Sequence, residues 1–583
     1  MTTTTPASPR LPPLVRRWEP RAAGCADTAA LLERTLHLPP SLCRLLVLRG
    51  HREPAAARDF LKPRLDRMHD PFGLADMEPA VDRIGRAIRD RERILVHGDY
   101  DVDGICAASM LTRVLRGLAA DVDAFVPHRL EDGYDLGPAG VRAAAAAGAR
   151  LILTADCGTV AHDAVEAAKA VGIDVIITDH HTPAPTLPAA VAVLNPTRPD
   201  CGYPDKGLAG AGVAFKLCQA LYQARGVDPA ALWYHLDLVA VATIADLAPL
   251  TGENRIFARY GLRLLPETRN PGLAALLRAT GIDAGHPISA GQVSHVLAPR
   301  INAVGRMGAA ARGVQLLLAD GEAEAESLAR VMEDENRERR AVDRETLDQA
   351  IRMLEADYDP ARDFGVVLAA PGWHPGVIGI VASRVVEQIH RPTVLLAIDE
   401  DSGRARGSAR SIPRFHLYDA IRDCGGLLER FGGHRQAAGL EIRTDRIDAF
   451  RTAFNDRARA VLTEDDLVAR TLIDLEVRLP ELDAATCELF RHFGPFGMGN
   501  PSPTFVARSV NVARRRVVGA GHAKLLLEQD GRRLDAIGFG LADAVSAIEP
   551  GSGADVVFHL QEDRWMGRQR LQARLLDIRP ASP

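Results

Sequence analysis

Between residues 90 and 195 the chain alternates short, branched apolar runs (94–96, 124–126, 151–153, 175–177 and 191–194) with alanine-rich stretches near 104–118, 138–148 and 160–171. Runs that short, rich in Ile, Leu and Val and lacking a polar side, read as strands buried on both faces. The longer stretches between them read as helices. The alternation predicts an α/β domain, a mostly parallel sheet with helices on both faces. Such a sheet gathers ligands beyond the carboxyl ends of its strands. Three of the runs end at once in chemically capable residues: "VHGDYDVDG" (96–104), "TADCG" (154–158) and "TDHH" (178–181).

The first of these places Asp99, Asp101 and Asp103 at every second position. On an extended backbone that spacing puts all three on one face. Two unit charges about 4 Å apart repel by roughly 4 kcal/mol at an effective dielectric near 20, so the triplet needs water or a cation. An EF-hand calcium loop demands a Glu at its twelfth position and a helix before it. Here the twelfth residue is Met110 and a strand-like run precedes. A solvated acidic turn would explain the triplet alone, and Asp156 or Asp179 alone would pass as a turn or cap residue. Three such ends on neighbouring strands point instead to a site. Asp246, in "LVAVATIADLAPL" (238–250), adds a solitary acid in an apolar run, which is costly unless paired or bound to metal.

Asp99, Asp101, Asp103, Asp156, His180 and Asp246 offer oxygen and imidazole ligands and no thiolate, which favours Mg²⁺ or Mn²⁺. That many ligands exceed what one ion sharing its site with substrate requires, so two ions are expected. A pair of divalent ions suits in-line phosphodiester hydrolysis, with Asp99 and Asp156 at the reaction centre. His181 would contact the phosphate or protonate the leaving group, or else only support its neighbours.

At 583 residues, and with about 150 residues per domain as a guide, three or four domains are expected. The net charge of −5 excludes an overall basic field, so any polyanion site is local. Eight cysteines without a C-x-x-C pair read as reduced thiols and a cytoplasmic protein. No run approaches the roughly 18 apolar residues of a membrane span, so no membrane association is expected. The Thr/Pro-rich start reads as a partly flexible leader over 1–48, and the catalytic sheet domain as 49–319. The charged stretch "RVMEDENRERRAVDRETLDQAIRML", free of Gly and Pro, predicts a helix over roughly 320–356, near 50 Å long, in a connecting segment assigned to 320–360. A smaller α/β domain follows over 361–464, then a β-rich barrel over 465–583.

Candidate phosphate ligands lie downstream. "APRINAVGRM" holds Arg300, Asn302 and Arg306, and the guanidinium fork suits phosphate oxygens. "GSARS" (407–411) and "FGGHRQAAG" (431–439) read as glycine-bounded turns presenting Ser408, Arg410 and His434. In the last block Arg514, Arg515, Arg516, Arg532, Arg533, Arg564, Arg568, Arg570 and Arg574, with Phe505 and Trp565, suggest a barrel face that tracks single-stranded nucleic acid by charge and stacking.

"HGDYDVDG", "TADCG", "TDHH" and "ATIADLAPL" resemble the successive motifs of the DHH phosphoesterase superfamily, whose name is spelled by Asp179, His180 and His181. Within it, "EDGYDLGP", "NPTRPDCGYPDKGLAGAGVAFKL", "APRINAVGRMG", "GWHPGVIGIVASR", "GSARS", "FGGHRQAAGL" and "MGRQRLQARLLDIRP" are similar to segments of the RecJ family of bacterial exonucleases, from about residue 50 to the C-terminus. The resemblance implies a DHH domain, a DHH-associated domain and a terminal OB-fold. It implies 5′-to-3′ degradation of single-stranded DNA to 5′-mononucleotides in recombination and repair. It also implies Asp101, Asp103, Asp156, His180 and Asp246 as ligands of two Mn²⁺ or Mg²⁺ ions, with Asp99 and His97 in or just behind that shell. Partners would be single-stranded DNA, a helicase and a single-strand-binding protein, with the enzyme a monomer. The competing assignment is a shorter superfamily member that cleaves oligoribonucleotides or cyclic dinucleotides and lacks the barrel. Arg435 departs from the family pattern, where a small or apolar residue follows the histidine.

Overall fold

Five parallel strands form where the apolar runs lie. The computed structural model describes residues 11, 14–22, 24–128, 132–133, 135–282, 285–306, 310–519, 521–565 and 568–581, with the side chains of Arg306 and of 562–570 outside that description. Across the sheet the strands run Val122–Phe125, Ile94–Gly98, Leu151–Ala155, Asp174–Thr178 and Ala192–Leu194. Ile94, Val96, Leu151 and Leu153 face a core shared with Ile105 and Leu111 of the helix Val102–Gly117. Leu95, Ile152, Val175 and Ile177 face the other core, against Val141, Ala164 and Val165 of the helices Pro138–Ala146 and His162–Ala170. Alternation along each strand thus feeds two apolar layers, which is why the runs show no polar side. The chain enters at the second position, passes outward to the first and only then to the third, so the order reverses between Ile94–Gly98 and Leu151–Ala155. At that reversal a crevice opens beyond the carboxyl ends.

The chain divides into two units, Pro20–Glu333 with Leu472–Pro583, and Met1–Glu19 with Asp334–Thr471. The first holds the parallel sheet and a barrel. The barrel strands are Leu475–Glu476, Thr504–Val518, His522–Gln529, Arg532–Gly538, Arg568–Pro580 and Gly553–Trp565, and pairing of Thr504–Val518 with Gly553–Trp565 closes the ring. The 15-residue strand Thr504–Val518 pairs with three neighbours, Leu475–Glu476, His522–Gln529 and Gly553–Trp565, and bends at irregularities between Ala507 and Val510 and between Val512 and Arg514.

The stretch read as a leader differs from that expectation. Within that stretch the helices Ala26–Leu36 and Pro40–Leu48, with Pro54–Leu61 just beyond it, bury Leu32, Leu42, Leu45, Leu46 and Phe60 in one core with Phe493, Phe505 and Phe558 of the barrel block. Their apolar spacing follows the helical period, a signal that the Thr/Pro-rich first residues obscure.

In the second unit a sheet runs Arg430–Gly433, Ala437–Arg443, Arg404–Arg410, Thr393–Asp399 and Val366–Pro371, with only the last pair parallel. "GSARS" is therefore not a turn: 407–410 lie within the strand Arg404–Arg410, paired on both edges. A 36-residue helix, Glu322–Asp357, spans the division in the sequence between the units. Among the described residues no helix is long and apolar enough to cross a membrane.

Candidate metal centre

The acidic triplet is not carried on an extended strand. The strand ends at Gly98 and the helix starts at Val102, so a turn rather than strand alternation gathers the acids. Asp101 caps the helix, its Oδ1 accepting from the amides of Asp103 (2.9 Å) and Gly104 (3.1 Å). Asp103, in the first helical turn, accepts from the amides of Gly210 and Ala211, both at 2.7 Å, where the helix Gly210–Ala224 begins. Two glycines make this packing feasible. A Cβ at Gly104 would lie 2.5 Å from the Asp99 nitrogen, and one at Gly210 would lie 2.5 Å from Asp156 Oδ1.

Asp156 follows the strand Leu151–Ala155, its amide donating to Thr178 O (2.9 Å) and its backbone left-handed at φ 66°. His180 follows the strand Asp174–Thr178, and Asp246 follows the helix Leu236–Ala245. These segments bring His180 Nε2 to 3.0 Å from Asp156 Oδ1, 3.7 Å from Asp246 Oδ2 and 3.8 Å from Asp103 Oδ2. Three ligand sets, each with donor atoms within 4.8 Å of one another, result: Asp99 with Asp101 and Asp156, Asp103 with His180 and Asp246, and Asp156 with His180 and His181. All six expected ligands are among them. Asp156 Oδ1 and His180 Nε2 are buried and make no hydrogen bond, a state costing about 1–3 kcal/mol per atom unless another partner arrives. A divalent cation held by these donors would be such a partner.

The electrostatics agree. Burial, then the charges of Asp246 and Asp101, push the Asp103 carboxyl well above the usual range. Burial, then Asp103, Asp101 and Asp99, do the same to Asp156. Asp246 is pushed up to about 7 by burial and Asp101, and His180 down to about 4 by burial and His181. Buried like charges that each disfavour the other's ionisation are what a bound cation relieves.

Asp179 does more than the turn and cap work that sequence suggests for it. Its Oδ1 accepts from the amides of His180 (2.7 Å) and His181 (3.1 Å) and pairs with His181 Nδ1 at 2.7 Å, while Oδ2 accepts from Thr159 N–H (2.9 Å). Burial opposes charge on both partners, but the pair prevails, holding Asp179 at about 2 and raising His181 to about 9. An acid two positions before a histidine at a strand end is the available signal. His97 stands behind the site. It is 1% exposed, with Nδ1 3.6 Å from Cys157 Sγ and its ring against Phe125, and it belongs to none of the ligand sets.

A cavity of about 340 Å³ opens on the acids, lined also by Tyr100, His181, Leu247 and Asn302. Tyr100 and Leu247 carry no sequence signal beyond adjacency to candidate ligands. Asn302 reaches the rim, where its Oδ1 accepts from Val102 N–H (3.2 Å). Arg300 does not supply the expected phosphate contact. It is 8% exposed, and its guanidinium lies 2.5 Å from Glu333 Oε2 and donates to Val296 O, because a buried cation must be neutralised where it sits. The side chain of Arg306 lies outside the described residues.

Ser408, Arg410 and His434 belong to the second unit. Arg410 donates to Ser408 Oγ (3.2 Å), and both crowd Gly379 at the start of the helix Ile378–Ile389, where a Cβ would meet Ser408 Oγ at 2.8 Å. His434 is exposed beside a hairpin, its amide donating to Ala437 O.

The barrel revises the nucleic-acid face. Phe505 is 1% exposed and part of the core, so it presents no stacking surface, and Trp565 lies outside the described side chains. Arg515 donates to Val545, Ser546 and Ile548 carbonyls, a structural role. Arg516, Lys524, Ile537 and Arg574 instead form one cross-strand row by register, and Arg574 lies 5.7 Å from the ring centroid of exposed Phe539.

Family profiles match the DHH family, N-terminal domain, over residues 93–243, the DHHA1 domain over 363–460 and the RecJ OB domain over 473–577. The single-stranded-DNA-specific exonuclease RecJ of Bacillus subtilis (strain 168) is 38% identical over 563 residues, 96% of this chain and 70% of that protein. RecJ from Thermus thermophilus in complex with Mn²⁺ superposes with a TM-score of 0.81 at 31% identity, covering 97% of this chain and 80% of that one. Its Mg²⁺ complex gives 0.76 at 30% identity over 97% and 79%. The DHH, DHHA1 and RecJ OB matches follow one another along the sequence in that order, and with relatives of this similarity over nearly its whole length the chain belongs to the RecJ family.

Proposed function

We infer that this chain is a metal-dependent exonuclease of single-stranded DNA. The observation that carries the reading is the convergence of six carboxylate and imidazole donors from four segments, with Asp156 Oδ1 and His180 Nε2 buried and lacking hydrogen bonds. Asp99, Asp101, Asp103, Asp156, His180 and Asp246 would hold two Mn²⁺ or Mg²⁺ ions. When bound, such ions supply a water of lowered pKa and positive charge against the leaving oxygen. The chain's own residues do the rest. Asp179 fixes the ring of His181 and favours its protonated form, so His181 donates to the scissile phosphate or to the departing oxygen. Asn302 fixes the turn that carries the acids.

We propose further that Ser408, Arg410 and His434 contact backbone or terminal phosphate, favoured by the serine and guanidinium gathered at a helix N-terminus. The row Arg516–Lys524–Arg574 with Phe539 would track the strand by charge and stacking. Degradation from the 5′ end to 5′-mononucleotides, action as a cytoplasmic monomer, and supply of strand by a helicase and a single-strand-binding protein belong to the same proposal. The shorter phosphodiesterase alternative is disfavoured by the closed barrel. The test is hydrolysis of end-labelled strands with Mn²⁺ and with EDTA. Release of mononucleotides from a 5′-phosphorylated single strand, and not from duplex or cyclic dinucleotide, is expected; digestion from the 3′ end or in EDTA overturns it.

A further inference from the structure

The fold asks for glycine at position 247 and receives leucine. The helix Leu236–Ala245 ends with Ala248 N–H donating to Thr243 O (3.1 Å) and Leu247 N–H to Ile244 O (3.4 Å), while Leu247 takes φ 59°. That is the left-handed position after a helix that glycine normally fills, and a residue with a Cβ pays roughly 1–2 kcal/mol there. The conformation is enforced from both sides. Leu250 N–H donates to Met498 O (2.8 Å), Asn254 Nδ2 donates to Pro249 O (3.1 Å) and to Gly207 O, and a Cβ on Gly499 would touch Pro249 at 3.0 Å. Leu247 gains little burial in return: it is 56% exposed.

Leu247 is nonetheless part of the lining of the candidate catalytic cavity, directly after Asp246 and among acids, a tyrosine, a histidine and an asparagine. A strained, exposed, apolar residue that folding does not reward is explained by what it meets in that cavity. At about 340 Å³ the cavity is in the size range of small-molecule sites. If the scissile phosphate sits at the acids and the P–O3′ bond breaks, the leaving oxygen is on C3′ and the next carbon is C2′. Leu247, beside Asp246 in the lining of the same cavity, is a candidate to face that carbon. Against aliphatic atoms a deoxyribose C2′ is complementary, whereas a ribose 2′-hydroxyl would lose its water and find no partner.

We propose that Leu247 faces the sugar of the terminal nucleotide and selects deoxyribose over ribose. The proposal rests on the phosphodiester reading above. The test compares kcat/KM for 5′-phosphorylated oligodeoxynucleotides that differ only in a deoxy- or a single ribonucleotide at the 5′ terminus, for the wild-type chain, Leu247→Gly and Leu247→Asn, alongside thermal unfolding of each. The preference for the deoxy terminus should narrow by roughly 10- to 100-fold in Leu247→Gly, the range expected for relieving one unpaired hydroxyl. It should narrow further in Leu247→Asn, whose amide offers the hydroxyl a partner and whose backbone tolerates the left-handed turn. Leu247→Gly should melt at or above the wild-type temperature, since the strain is gone. A preference that stays within about twofold of wild type in both folded variants overturns the proposal. A wild-type chain that hydrolyses no single-stranded DNA overturns the underlying function instead, and the proposal with it.

Discussion

Asp156 is the residue on which most of the site depends, since it belongs to two ligand sets and its carboxylate presses against Gly210. Replacing it by Ala should cut turnover by more than about 10³-fold, the scale of losing a principal electrostatic group. Asp156→Asn should do so too while melting no lower than wild type, because one buried repulsive charge is removed; a chain that still turns over DNA would show that Asp156 is not needed to hold the ions. Asp237, 2% exposed, offers a cleaner test of burial. Burial pushes its carboxyl up to about 6, against the hydrogen bonds from Thr268 Oγ1 and its neighbour's amide. The folded state therefore holds a proton that the unfolded chain releases near pH 4, so this group favours folding at low pH and loses that effect as pH rises from about 4 to 6. Asp237→Asn should gain on wild type by about 2 kcal/mol across that interval in urea unfolding; parallel curves would contradict it. At this scale the candidate ligands are legible because they cluster within a few residues of the ends of apolar runs. Arg300 misleads because sequence shows a cation but not the Glu333 that neutralises it.

The strands and helices of the catalytic sheet can be read from alternation, and the turns between them cannot. The spacing of the acids at 99–103 suits an extended face, yet the chain there passes from strand to helix cap within three residues. "GSARS" looks like a turn because glycine and serine dominate it, whereas pairing on both edges makes it a strand. Loops held by distant side chains are invisible in the same way. Asn254 ties Gly207 O to Pro249 O, so it fixes both the segment ending in the amides that hold Asp103 and the segment beginning at Asp246. Asn254→Ala should weaken Mn²⁺ binding by about tenfold, as outer-shell losses do, with a smaller effect on melting. Calorimetric titration gives the affinity, and an unchanged value would show the loops to be held by other contacts.

For the molecule as a whole, domain order is readable from composition, but the sharing of one core between the first helices and the barrel is not, because it joins residues more than 400 positions apart. The barrel's contribution is best tested by charge rather than by truncation, which would strip those helices of their core. Arg516→Ala, Lys524→Ala and Arg574→Ala combined should lower the slope of log affinity against log salt by about 2, near 0.7 for each phosphate no longer neutralised on a single strand; an unchanged slope would make the row a merely solvated face. Chelation reports on the acidic site instead. Two helix beginnings and a turn already direct amides at Asp101, Asp103 and Asp179, so the polypeptide carries part of the counter-field its acids require. EDTA should accordingly silence the enzyme while lowering its melting temperature by only roughly 5 °C, and Mn²⁺ returned afterwards should restore full rate. Such a catalyst is assembled first and armed later: a preparation kept in chelator is dormant rather than damaged, and the supply of metal, not the synthesis of new protein, becomes the throttle on how fast strands are consumed.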